Sequence, residues 1–123
     1  MINLNQAIFT LISGATYTLV NNRIYPLQAP ENTPLPFIGF ERSSTVNWTR
    51  DACTYDSVVT IYILSADYGT GITIGGKLID ALSRVGGVYA GINIKDIYLT
   101  SIEETVTDQI FTQKLEFTVH SVV

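Results

Sequence analysis

Tyr55-Asp56-Ser57-Val58-Val59-Thr60-Ile61-Tyr62-Ile63-Leu64 is a run of β-branched, aromatic and aliphatic side chains without a helical repeat. Alternation puts Val59, Ile61 and Ile63 on one face and Val58, Thr60, Tyr62 and Leu64 on the other. Apolar residues on both faces predict a central strand, covered twice or sandwiched in an oligomer. Immediately upstream, residues 37–48 alternate, with Ile38, Phe40, Val46 and Trp48 in phase and Arg42 and Ser44 between them. The polar stretch from Asn47 to Asp56 has aromatic shoulders and reads as the tip of a long antiparallel hairpin.

Downstream, Ile72, Gly75, Leu78, Ile79, Leu82 and Val85 recur on one side of a helix expected over residues 68–85. Gly71, Gly75 and Gly76 each weaken it by about 1 kcal/mol relative to alanine. Either the helix starts only near Gly75, or the glycines permit a close approach to the sheet; Gly86 and Gly87 end it. Two more strands are predicted over residues 92–101 and 109–121. In the last, Phe111, Leu115, Phe117 and Val119 point inward, while Thr112, Lys114, Glu116, Thr118 and His120 point outward. The turn between them is expected to hold Glu103, Glu104, Thr107 and Asp108.

At the N-terminal end, Leu4, Ala7, Ile8, Leu11 and Ile12 repeat at helical spacing. Asn3 is the expected cap, with Gln6 three residues on, and Gly14 the expected left-handed stop. Residues 15–36 form a connector; Pro26, Pro30, Pro34 and Pro36 exclude a central strand or a helix there. Ile24, Tyr25 and Leu27 are expected to pin it down. The order helix, strand, strand, helix, strand, strand gives an α+β fold: an antiparallel sheet with both helices on one face and a long projecting hairpin. With 123 residues, the chain is read as one domain, residues 1–123.

Composition narrows the function. Hydrophobic residues make up 46% and charged residues 15%, which excludes a solvated disordered chain and leaves more surface than usual uncharged. Seven Lys+Arg against eleven Asp+Glu, scattered singly, argue against a phosphate-gripping face and so against sequence-specific nucleic-acid binding. Cys53 stands alone, so no intrachain disulfide forms. No secretory n-region and no apolar run of about 20 residues is seen, so no membrane partner is expected.

Candidate chemistry is sparse. Gly71-Ile72-Thr73-Ile74-Gly75-Gly76-Lys77 matches a phosphate-binding loop, but Leu78 stands where a magnesium-binding hydroxyl is required. His120 lies on the polar side of a strand without a metal-ligand cluster, and Cys53 has only Arg50 nearby to lower its pKa. Glu103, Glu104 and Asp108 lack the spacing of a calcium loop. No catalytic, metal or cofactor residues are therefore assigned. Trp48 and Tyr55 flank the hairpin tip, where large exposed rings usually mean a partner. Alternatively they shield the hairpin itself by stacking across strands.

The order of elements, with Arg23-Ile24-Tyr25-Pro26, Ala29-Pro30 and Pro36-Phe37-Ile38, then Tyr55-Asp56, Val59 to Ser65 and Leu78 to Leu82, resembles the tail completion (tail terminator, or tail-to-head joining) proteins of long-tailed bacteriophages and prophages. The glycine-rich start of the second helix departs from that family's pattern. The resemblance implies a non-enzymatic virion protein without cofactors. It implies a ring, typically a hexamer, whose partners are further copies of itself, the tail tube protein and the head connector protein. It also implies a location in the virion tail, reached by assembly in the host cytoplasm. The subunit interface is expected at Trp48, Arg50, Tyr55 and Tyr62. The competing readings are a small nucleotide- or ligand-binding domain using residues 71–77 and a monomeric adaptor using Trp48 and Tyr55.

Overall fold

The computed structural model describes residues 2–16, 19–20, 23–26, 33–48, 53–89 and 91–122. Its elements are α1 (Ile2–Thr16), β1 (Ile24–Pro26), β2 (Phe37–Trp48), β3 (Cys53–Ser65), α2 (Tyr68–Leu82), β4 (Gly87–Tyr89), β5 (Ile92–Thr107) and β6 (Ile110–Val122). The strands form one six-stranded sheet in the order β1-β2-β3-β6-β5-β4. Every pair is antiparallel except β1 with β2. The expected α+β architecture is therefore present.

The β3 strand is central, as its two-faced pattern predicts. It pairs with β2 and β6 along nearly its whole length, with Ile61 opposite both Phe40 and Leu115. Val59, Ile61 and Ile63, together with Leu115, Phe117 and Val119, form the floor of the core. Leu4, Ala7, Ile8 and Ile12 of α1 and Ile74, Leu78 and Leu82 of α2 close it from one side. Each of these side chains other than the small Ala7 contributes about 1.5–3 kcal/mol by leaving water. No described helix covers the other side, where Val58, Thr60, Tyr62 and Leu64 lie.

The glycines of α2 take the second of the two expected roles. The helix starts at Tyr68, capped by Asp67, whose carboxylate accepts from Thr70 N–H at 2.7 Å. Gly71 and Gly75 are buried within it. A Cβ on Gly71 would stand 2.6 Å from the Phe111 ring and 2.9 Å from Ser65 Oγ, and one on Gly75 would collide with the Gln113 amide. The missing side chains thus let the helix lie directly on β6.

Several boundaries differ from the sequence-based expectation. The α1 helix runs through Gly14 to Thr16, and Asn3 lies inside its first turn rather than before it. Thr16 Oγ1 donates to Ile12 O, so a buried hydroxyl stays satisfied in the last turn. Helix α2 stops at Leu82, where Ser83 turns extended and Arg84 takes φ 60°, ahead of Gly86 and Gly87. Glu103 and Glu104 belong to β5, not to a turn. The real turn is Asp108-Gln109, with φ 52° and 66°, the two positive values that a tight hairpin between Thr107 and Ile110 requires. In the connector, Ile24 is buried and Tyr25 half-buried; Leu27 and Pro30 lie outside the described residues.

Candidate assembly surface

The β2–β3 hairpin runs out past the helix layer. Ile38 and Phe40 are buried under α1, but on the same side of β2 Val46 is 42% and Trp48 78% exposed. Val46 faces Tyr55 and Trp48 faces Cys53 across the hairpin, so Trp48 and Tyr55 are diagonal neighbours on one side of the sheet. Tyr55 is half-buried, and a side-chain hydrogen bond with Cys53 raises its pKa above the usual tyrosine value. Arg50 lies outside the described residues.

Tyr62 belongs to a different surface. Its position is of opposite parity to Tyr55, so it sits on the helix-free side, between Gly39 and Lys114. There its hydroxyl donates to Glu41 Oε1 at 3.0 Å. Burial first, and then the Glu41 carboxylate, push its pKa upward. The structure thus brings Trp48 and Tyr55 together and sets Tyr62 apart.

The helix-free side also carries a polar row that sequence reasoning did not find. Asp56, His120 and Asp96 occupy one rung across β3, β6 and β5. His120 Nδ1 is 2.5 Å from Asp56 Oδ1, and Asn47 Nδ2 donates to Asp56 Oδ2 at 2.9 Å. The Tyr98 hydroxyl lies 3.3 Å from His120 Nε2, and Arg84 pairs with Asp96 at 2.9 Å. The hydrogen bond to His120 holds the Asp56 carboxyl below its ordinary pKa. The outward phase of His120 was visible in β6; its partners lie far away in sequence and needed the strand register. An Asp–His–Tyr chain can relay a proton, but this one lies on a flat, solvated sheet face, not in a cleft that would desolvate a substrate.

The hollows of the fold offer little chemistry. A groove beside β2, lined by Asn5, Pro26, Phe40, Glu41 and Arg42, holds only 220 Å³. A larger one of 460 Å³ lies over the start of α2, yet Asp67 already accepts from the Thr70 amide there, and its charge repels an anion. Residues 71–77 are helical and packed on β6, so they form no phosphate-cradling loop. Among the described residues no group of three or more His, Cys, Asp or Glu is placed to hold a metal ion, and no helix is long and apolar enough to cross a membrane.

No protein-family model matches the chain. No curated protein matches it in sequence. Solved structures do share its fold. One is a chain of the virion of a native gene transfer agent particle, with a TM-score of 0.81 and 13% identity, covering 98% of this chain and 95% of that one. A second solved chain has a TM-score of 0.71 and 11% identity, covering 99% of this chain and 94% of that one. At such identities the likeness establishes a shared fold, matched from end to end in both partners.

Proposed function

We propose that this chain is a structural subunit of a phage-like virion. In this reading it closes the head-proximal end of the tail tube as a ring of about six copies, stops tube polymerisation and forms the joint to the head connector. The observation that carries it is the near-complete fold match with a chain of a gene transfer agent virion. The resemblance to tail completion proteins points the same way, as does a sheet that leaves apolar groups bare on both sides: Trp48 and Val46 on one, Val58 on the other. The subunit works without chemistry of its own, meeting other copies, the tube and the connector inside the host cytoplasm and remaining in the tail.

The test is the double variant Trp48→Ala, Tyr55→Ala. Truncating an interface aromatic costs about 2 kcal/mol or more of association energy where it is a hot spot. The variant should fold normally, and tails grown with it should lack a closed end and fail to join heads, as seen by electron microscopy. Normal tails would remove this corner from the joint. Tails capped by some other protein in the wild-type particle would end the proposal.

A further inference from the structure

The long strands β2 and β5 are each covered on their outer edge by a three-residue strand along only part of their length, and at opposite ends of the sheet. On one side β1 pairs with β2 at Ile38, Gly39 and Phe40 and then stops. Among the described residues nothing pairs with the outer edge of β2 from Glu41 to Trp48. On the other side β4 pairs with β5 from Ile92 to Ile94, and Arg84 N–H reaches Ile97 O. Beyond that, among the described residues, β5 is bare to Thr107. Its irregularities fall between Ile94 and Asp96 and between Leu99 and Ser101, leaving residues 101–107 regular. Unpaired edge amides and carbonyls are a template for another strand.

We propose that the bare half of β2 in one copy pairs with the bare half of β5 in a second copy, continuing the sheet head to tail from subunit to subunit. This rests on the ring reading above and specifies its joint. Strand direction supports it. Each step from β2 through β3 and β6 to β5 is antiparallel, so β2 and β5 run in opposite senses. A neighbour brought alongside without flipping presents β2 antiparallel to β5 and keeps its helices on the same side. The apolar groups also match. Val46 and Trp48 on β2, and Ile102 and Val106 on β5, all lie on the helix side, and all are exposed. With Val46 opposite Ile102, Trp48 is diagonal to Ile102 and Val106 faces Arg42. In that register the Asp108-Gln109 turn ends where the neighbour's Pro26 pairs with Phe40.

Charge disfavours the pairing of two β5 edges. Residues 101–107 carry Glu103 and Glu104 and no cation. Two β5 edges meeting antiparallel would crowd four carboxylates together, and like charges opposite each other on a ladder repel. The β2 edge instead offers Arg42, diagonal to Glu104 in the register above.

The experiment uses the full chain with Cys53→Ser and one new cysteine, Ser43→Cys or Thr105→Cys. The two positions oppose each other in this register, and Thr45→Cys with Glu103→Cys gives the adjacent rung. On oxidation, mixing the two single variants should give a dimer containing one of each, while neither variant alone should cross-link. The double variant should give a ladder ending at a closed ring. Dimers from either single variant alone would overturn the proposal in favour of like edges meeting. Assemblies of several subunits that form no mixed disulfide at either rung would overturn it while leaving the ring reading intact. A chain that is monomeric at every concentration and on isolated tail tubes would overturn both. As a second readout, Val106→Lys should leave the melting temperature unchanged and raise the concentration for half-assembly by roughly tenfold or more.

Discussion

Replacing Gly71 by alanine should leave the protein clearly less stable than replacing Gly76 in the same helix, a change that should stabilise it. Both changes gain the same intrinsic helix term, about 1 kcal/mol. They differ in what the new methyl meets. At Gly76 nothing lies within 4 Å, so the full gain is expressed. At Gly71 the methyl would stand 2.6 Å from Phe111 and 2.9 Å from Ser65 Oγ. Phe111 cannot simply swing aside, because it is buried and Tyr68 packs edge-on against it at 4.9 Å. Overpacking of this kind costs about 1–3 kcal/mol. The helix term cancels in the comparison, so the two variants should differ by that same 1–3 kcal/mol. At this chain length that is a separation of about 3–15 °C in melting temperature. Gly75→Ala should fall between them, since its obstacle is the end of the Gln113 side chain, whose Oε1 has no hydrogen-bond partner among the described residues. Thermal unfolding by circular dichroism measures all three. Equal stability of Gly71→Ala and Gly76→Ala would refute the idea that glycine sets the distance between helix and sheet.

Two further expectations concern the fold. Asp56 and Asp67 both have folded pKa values below their unfolded ones, the first through His120 and the second through the Thr70 amide. Their stabilising contributions are therefore complete above the ordinary aspartate range and disappear as pH falls through the folded values; Asp56→Asn should flatten the acid limb of a melting-temperature profile between about pH 5 and pH 2. Phe117→Ala should cost about 3–5 kcal/mol, because Phe117 is fully buried, and denaturant unfolding at matched pH would measure it.

Much of the fold was legible because the helix layer imposes a period on whatever lies beneath it. The strands β2, β3 and β6 alternate where α1 and α2 cover them, and Ile61, Ile63, Leu82, Leu115 and Phe117 all lie in the core as their phase required. The pattern failed where that cover ends. Residues 102–107 leave the helix layer, so Glu103 and Glu104 can sit in a strand and still look like a turn. The strands β1 and β4 hold three residues each, too few for any period to show. Glycine misled at the first helix and left two readings at the second: Gly14 is an exposed helical residue that ends nothing, whereas Gly71 is needed where it lowers propensity, which only the packing against Phe111 could decide. At the candidate site, the parity of Tyr55 and Tyr62 already separated them onto two faces. The Asp56–His120 contact depended on pairing residues from distant parts of the chain.

The place of β6 in the middle of the sheet has a consequence for how the molecule comes into being. The ladder it forms with β3 runs from Ser65 with Phe111 to Thr54 with Val122, and everything between those strands is synthesised in the interval. Hairpins β2–β3 and β5–β6 can close locally within microseconds. The two halves cannot share a hydrophobic floor until β6 has left the ribosome, and joining them closes a long loop before any contact repays it. Until then β3 shows an unpaired edge flanked by Val59, Ile61 and Ile63, the kind of strand that aggregates. Each nascent chain therefore passes through a sticky stage that the finished subunit no longer displays, and expression yield should depend more on the speed of that last step than on final stability.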